Sequence, residues 1–525
     1  MTAKRAIAFQ RSGTIILDTK YDPTGEIEDA LRRFADLTSA AGTLHSYRVT
    51  DLTMWSAAAS GLNAQAFLDL MTENSAMRLP ADLFARVNEF FGRYGQLWID
   101  GAPGSLALKA SDRLLLREVG SILDVSVDSA EIPLADHERG RVKARLAEAG
   151  YPVVDNVRPV SRRTGGYHLN RNVVLRDYQQ QAVDRFVEHG QGGGVVLLPC
   201  GAGKTVVGVA IAATLDACVL VVTPNRTIGE QWADHFKGMT NLCANDIDLF
   251  TDSSEEKPVT IVTYQALTAS RNGLPERLHD AMDLPWGLII YDEVHTLPAD
   301  VFRQSAALQS RRRLGLTATL VREDGREREV YALVGPPVWQ SRWRDLERQG
   351  WISPVECFEI RVRSDRQHRN EDQGFAAKLR TVERIMTRHQ GDRVLIAAHR
   401  ISQVQALARR LRVPAVTGET PQTERSRLFD AFRSGSIPCL VVSRVANVGV
   451  DLPDANVLIQ VSGAFGSRLE EAQRLGRLLR PKETTRPARF YSLVLPESRE
   501  REFASRRQRF LIDQGYRYQV INTQA

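Results

Sequence analysis

The run Val195-Val-Leu-Leu-Pro-Cys-Gly-Ala-Gly-Lys-Thr205 carries an apolar strand into a glycine-containing loop that closes on Gly-Lys-Thr. Gly201 and Gly203 let backbone N–H groups turn toward anionic oxygens with no Cβ in the way. The helix expected to follow offers its positive end to the same anion. In that arrangement Lys204 would hold the outer phosphates of a nucleotide, and the Thr205 hydroxyl would reach a Mg2+ ion. Pro199, Cys200 and Ala202 complete the loop. The strict P-loop spacing is not met, because Leu198 stands where the first glycine would be. A glycine-rich turn before a core helix is the lesser alternative at this point.

A second run alters that balance. Leu288-Ile-Ile-Tyr-Asp-Glu-Val-His295 is an apolar strand ending in two adjacent carboxylates, at the strand end where open α/β sheets bind ligands. Asp292 suits a Mg2+ shell, and Glu293 is placed to orient and deprotonate an attacking water. Paired acids after a strand are ordinarily an exposed turn, but that does not account for a phosphate loop upstream in the same α/β unit. Together the two runs predict phosphoryl transfer from ATP with Mg2+. Further on, Gln473-Arg-Leu-Gly-Arg-Leu-Leu-Arg480 places Arg477 and Arg480 at i and i+3 on one helical face. A solvated basic helix is the commoner setting for that spacing. In a chain with an ATP site it also suits stabilisation of the charge that builds on the phosphates, with Gln473 one turn earlier. If that face lines a cleft, ATP bridges two lobes and its hydrolysis releases them. Leu314-Gly-Leu-Thr-Ala-Thr319 could relay hydrogen bonds between the nucleotide and a nucleic-acid track.

The elements that must position these residues begin near Val173. Short β-branched or apolar runs (Val195–Leu198, Val219–Thr223, Val259–Val262, Leu288–Tyr291) alternate with helical stretches, and a second series follows (Val394–Ala398, Cys439–Ser443, Val457–Val461, Arg489–Val494). This is the pattern of parallel α/β architecture in two tandem units. Before Val173 the pattern differs. Short strands at Ala6–Phe9 and Thr14–Asp18 and a helix over Ile27–Ala41 suggest one small α+β domain. Strands at Gln96–Ile99 and Ser105–Lys109 with a charged helix over Asp136–Ala149 suggest a second, joined to the rest by the basic segment Arg158–Arg171. The expected divisions are 1–91, 92–168, 169–345 and 346–525.

The whole chain fits a soluble nucleic-acid enzyme. At 525 residues it exceeds a single core. Its 69 Lys plus Arg against 63 Asp plus Glu give +6, a mild bias toward a polyanionic partner. Arginines crowd the stretch from Arg474 to Arg517. Cys200, Cys218, Cys243, Cys357 and Cys439 form no CxxC pair, which argues against a zinc site or a disulfide framework and fits a reducing cytosol. No segment reads as a signal peptide or a membrane span, so a cytoplasmic, nucleoid-associated protein is expected.

The order of these motifs resembles that of superfamily-two helicases, and within them the XPB (xeroderma pigmentosum group B) branch in its compact prokaryotic form. Leu197-Leu-Pro-Cys-Gly-Ala-Gly-Lys-Thr205, Asp292-Glu-Val-His295, Leu314-Gly-Leu-Thr-Ala-Thr-Leu-Val-Arg-Glu-Asp324, Asp451-Leu-Pro-Asp-Ala-Asn-Val-Leu-Ile459, the helix from Glu471 to Arg480 and Arg507-Gln-Arg-Phe-Leu-Ile-Asp-Gln-Gly-Tyr516 carry the resemblance. It extends from about Tyr94 to the end of the sequence and weakens over the first domain. It implies two RecA-like lobes, ATP and Mg2+ as cofactors, and DNA as a sequence-independent partner with 3′-to-5′ polarity. Leu175-Arg-Asp-Tyr-Gln179 is similar to the adenine-reading motif, with Gln179 on the base edge and Arg176 nearby. Thr223, Pro224, Asn225 and Thr263-Tyr264 match nucleic-acid positions of the first lobe, and Thr417-Gly418-Glu419-Thr420 with Ser443-Arg444 those of the second. Asp451 is assigned to the nucleotide. Arg322-Glu323-Asp324 matches the branch's RED motif, linked to opening duplex DNA. Residues Tyr94–Asp155 are similar to its damage-recognition-like domain, and the segment Arg363–His389 is shorter than the thumb of some relatives. A nuclease, or a repair or transcription assembly, is the implied protein partner. A duplex translocase, an RNA helicase and a non-catalytic DNA-binding scaffold are the competing readings.

Overall fold

A computed structural model describes residues 6–10, 13–41, 43–75, 77–102, 104–157, 164–189, 192–199, 201–249, 257–268, 286–296, 308, 310–320, 326–341, 343–362, 371–443, 455–462, 487–495, 500, 504, 514, 516 and 518–523. The chain divides into two compact units, Met1–Leu197 with Thr205–Gln340, and Ser341–Ala525 with Leu198–Lys204.

The first unit opens with a four-stranded antiparallel sheet. Ile7–Phe9 pairs with Ile15–Asp18, which pairs with Leu44–Arg48, which pairs with Asp36–Ala41. Helices Asp51–Ala59, Ala64–Asn74 and Ala81–Arg93 follow, and their buried Met54, Phe67 and Val87 join Ile15, Leu17 and Tyr47 in one core. Thr50 starts the first of these helices with a reciprocal capping box to Thr53, which satisfies two otherwise orphaned backbone donors. The helix expected over Ile27–Ala41 is in fact shorter. It occupies Glu26–Arg32, and Asp36–Ala41 is a strand. The helix-forming residues of that segment are overruled by pairing with Leu44–Arg48 and by burial of Phe34 and Ala35.

A second four-stranded sheet has Leu97–Asp100 and Leu106–Ala110 at its centre, with Ile132–Leu134 and Val154–Asp155 outside. Helices Arg113–Leu123 and Arg139–Glu148 supply Leu116, Val119, Val142 and Leu146 to its core. Asp155 receives Arg139 at 2.7 Å and Lys143 at 2.8 Å, all three side chains being largely buried. Burial alone would raise the Asp155 carboxyl, but the Lys143 and Arg139 charges beside it hold it well below the usual carboxylate range.

The rest of this unit is a seven-stranded sheet in which every pairing is parallel. Across it run Ile247–Leu249, Val259–Thr263, Val219–Thr223, Trp286–Asp292, Ser310–Thr317, Gly194–Leu197 and Pro337–Gln340. Its central strands are buried on both faces, which is why they read as continuous apolar runs.

The second unit repeats this architecture. Ala415–Val416, Cys439–Val442, Val394–Ala397, Val457–Gln460, Ala488–Val494, Val355–Arg361 and Tyr518–Asn522 form a second wholly parallel seven-stranded sheet. Numbered in chain order within each sheet, both have the strand order 3-4-2-5-6-1-7. The expected pair of parallel α/β lobes is therefore present. The segment set against the thumb of relatives contains the helix Glu371–Arg388. Among the described residues no helix is long and apolar enough to cross a membrane.

Candidate active site

Parallel strands bring their C-terminal ends to one edge, and the register of the first lobe places the motif residues along it. Leu197, where the phosphate loop begins, is level with Thr317, and Leu316 is level with Asp292. Thr223 is level with Thr263, on the strands beyond. At about 4.8 Å between neighbouring strands, Leu197 and Asp292 stand about 10 Å apart, with the Thr317 strand between them.

The phosphate loop has the backbone its sequence requires. Gly201 and Gly203 take φ of 82° and 81°, the left-handed region that only glycine occupies without strain. Ala202 is buried, and its N–H closes a turn onto the Pro199 carbonyl. Lys204 and Thr205 open the helix Lys204–Thr214, so the loop runs directly into a helix N-terminus, the end that favours an anion.

Asp292 is held from three directions. The Trp232 indole Nε1 donates to Oδ2 at 2.8 Å, and the Glu293 backbone N–H donates to Oδ1 at 2.9 Å. The Tyr264 hydroxyl donates to the Asp292 carbonyl at 2.8 Å. Burial, then the Asp292 charge, pushes Tyr264 well above its usual pKa, which keeps it a donor. A carboxylate has about four lone-pair positions, so two N–H partners are compatible with a metal at another. One carboxylate and the Thr205 hydroxyl are hard oxygen donors, the kind Mg2+ takes alongside phosphate oxygens and water. The residues present fit that ion.

Glu293 sits at φ of 50°, a left-handed conformation that is strained for a residue with a side chain. That turn directs its carboxylate back along the strand ends, where Oε2 lies 3.4 Å from Nδ1 of buried His295. The same Nδ1 is 2.5 Å from Oγ1 of Thr317, whose hydroxyl also reaches the Thr319 carbonyl at 2.8 Å. His295 thus stands between the acid pair, which it approaches at 3.4 Å, and the Thr-Ala-Thr run, to which it is hydrogen-bonded.

Several other expected site residues have local structural work. Gln179 accepts from the Arg176 N–H at 3.0 Å, the reach-back of a helix N3 side chain, at the start of the helix Asp177–His189. Asn225 caps the helix Arg226–Met239 by accepting from Ile228, and Thr263 accepts from Ala266 at the start of the next. The Thr223 hydroxyl donates to the Asn225 carbonyl, gathering Thr223, Pro224 and Asn225 into one turn beside Thr263. In the second lobe Thr417, Gly418 and Thr420 form a turn closed by Thr417 N–H to Thr420 Oγ1 at 2.9 Å. Ser443 joins it by donating its backbone N–H to Val416, the residue before Thr417. Cys200, Arg322, Glu323, Asp324, Arg444, Asp451, Gln473, Arg477 and Arg480 lie outside the described residues.

Sequence reasoning passed over Trp232 and His295 as site residues, and assigned Tyr264 to the nucleic acid rather than to Asp292. A helical Trp is ordinarily core, and only the long-range fold brings its N–H to a carboxylate sixty positions away.

Three helicase-family descriptions match successive parts of the chain. That of the ERCC3/RAD25/XPB C-terminal helicase covers residues 346–525, that of the type III restriction enzyme res subunit covers 172–322, and a helicase conserved C-terminal domain covers 7–126. The DNA 3'-5' helicase XPB of Kineococcus radiotolerans is 41% identical over 539 residues, spanning 98% of this chain and 96% of that protein. Its namesake in Mycobacterium tuberculosis is 40% identical, across 98% of this chain and 97% of that protein. The general transcription and DNA repair factor IIH helicase/translocase subunit XPB of Encephalitozoon cuniculi is 29% identical, across 97% and 81%. With an XPB-type helicase domain at its C-terminus and two-fifths identity to bacterial XPB proteins over nearly their full length, the chain belongs to the XPB family of DNA helicases.

Proposed function

We propose that this chain is an ATP-dependent 3′-to-5′ DNA helicase that hydrolyses ATP to move along and open DNA, with Mg2+ as its metal, in nucleotide excision repair. The observation that carries the reading is the single sheet edge on which Leu197 is level with Thr317 and Asp292 with the adjoining Leu316, with the Thr223 and Thr263 turns farther along it. The loop N–H groups and Lys204 hold the phosphates, and Gln179 with Arg176 serves the adenine. Thr205 and Asp292 hold Mg2+, which when bound supplies a positive charge that offsets the charge building on the phosphoryl oxygens. Glu293 orients the attacking water and takes its proton, and Arg477 and Arg480 stabilise the transferring group. Hydroxyl and backbone contacts from the Thr223–Asn225, Thr263, Thr417–Thr420 and Ser443-Arg444 positions meet the DNA backbone, which carries no base sequence. A cytoplasmic, nucleoid-associated protein working with a nuclease or a repair assembly is consistent with this activity.

The deciding experiment is ATP turnover of the purified chain with single-stranded DNA, duplex, forked DNA and RNA. DNA stimulation with strand displacement supports the reading, and preferential stimulation by RNA overturns it. A relative described as a helicase/translocase subunit favours one second reading, a duplex translocase that does not separate strands. Displacement of a third strand from a triplex, without unwinding of a fork, would select it.

A further inference from the structure

Trp232 is buried completely on the helix Arg226–Met239, and its one polar atom is aimed at the side chain of Asp292. The far end of the indole lies over Gly208, on the helix that follows the phosphate loop. A Cβ at position 208 would stand 2.4 Å from Trp232 Cη2 and 3.0 Å from Leu316 Cδ1. A glycine in the middle of a helix of alanine and β-branched residues costs helix stability, so its presence there has a steric reason. It makes room for this ring. One side chain therefore reaches both the phosphate-loop helix and the carboxylate of Asp292.

We propose that Trp232 is a positioning residue for the metal site. Its indole N–H fixes Oδ2 of Asp292 while the Glu293 N–H fixes Oδ1, so the carboxylate cannot rotate away from the direction in which it meets the ion. The helix that carries Trp232 is capped by Asn225, so the grip on the carboxylate is anchored in the Thr223–Asn225 turn. A core role alone would need the ring but not the N–H. The inference rests on the assignment of Asp292 to the metal.

The test is Mn2+ binding to the full-length chain with saturating ADP, read from the electron paramagnetic resonance signal of free Mn2+. Trp232→Phe keeps an apolar ring and removes the donor. A second variant carries 3-benzothienylalanine at 232, which keeps the bicyclic shape and replaces N–H by sulfur. Both are expected to bind Mn2+ about tenfold more weakly, the effect of losing a partner that orients a metal ligand. ADP affinity in EDTA and the melting temperature of the benzothienyl variant should match those of the unmodified chain. Asp292→Asn serves as the reference. If it leaves Mn2+ affinity unchanged, the metal assignment falls and this inference with it. If it weakens Mn2+ while the benzothienyl variant binds as tightly as the unmodified chain, the positioning role of Trp232 alone is overturned.

Discussion

Glu293, the proposed general base, sits on a strained backbone. A left-handed conformation costs a residue with a Cβ about 1 kcal/mol or more, which glycine avoids. Glu293→Gly is therefore expected to be inactive yet no less stable than the parent, measured by ATP turnover beside a thermal melt. Glu293→Gln keeps the shape and removes the base. It should reduce DNA-stimulated turnover by at least about a hundredfold while DNA binding is retained, and near-parental turnover would remove Glu293 from the catalytic role. Lys204→Ala should likewise lose turnover while still binding DNA, and an equal loss of both would indicate misfolding or a misplaced site. The turns at Gly201 and Gly203 were legible because only glycine takes that backbone without strain. Trp232 was not, since nothing local distinguishes an indole that fills a core from one that also donates to a carboxylate.

At the scale of elements, the helices and strands behind the site are held by different means. Asn225 closes the helix that carries Trp232, and Asn225→Ala should cost about 1 kcal/mol in chemical denaturation. The second small sheet depends instead on the buried Arg139–Asp155–Lys143 cluster. Asp155→Asn leaves two cations buried beside a neutral amide, and should cost on the order of 3–5 kcal/mol, read as a lowered melting temperature. The pH dependence follows from the lowered carboxyl of Asp155. Its contribution is complete above the ordinary aspartate value of about 3.9, and is lost as pH falls below that value toward the folded one. The Asn variant should show a shallower loss of stability across the acid limb, and an unchanged limb would contradict the cluster's role. The central strands of each lobe were readable because burial on both faces leaves continuous apolar runs, whereas Pro337–Gln340 and Tyr518–Asn522, which are not buried, were passed over. The strand Asp36–Ala41 was not readable either, because its mixed residues carry no strand pattern of their own and only Leu44–Arg48, folding back beside it, makes it a strand.

The whole molecule repeats one topology twice, with strand order 3-4-2-5-6-1-7 in each lobe. Both sheets end their strands in loops that carry motif residues, and the arginines proposed to complete hydrolysis come from the second series. Arg477→Ala should bind nucleotide normally but hydrolyse it much more slowly, and wild-type turnover would exclude it. Since the proposed contacts address a sugar-phosphate backbone, DNA affinity should fall steeply with salt and little with sequence, as a titration at several salt concentrations would reveal. From the sequence by itself came the chemistry of the nucleotide, the parallel α/β class and the family, because glycine, lysine and paired acids have roles that their own types and near neighbours dictate. The tertiary structure alone decided the shared order of the two sheets, the register that brings Leu197, Thr317 and Asp292 to one sheet edge, and the grip of Trp232 and Tyr264 on that aspartate. Those contacts join residues far apart in the chain, and strand register and long-range burial, which no local pattern encodes, determine which of them meet.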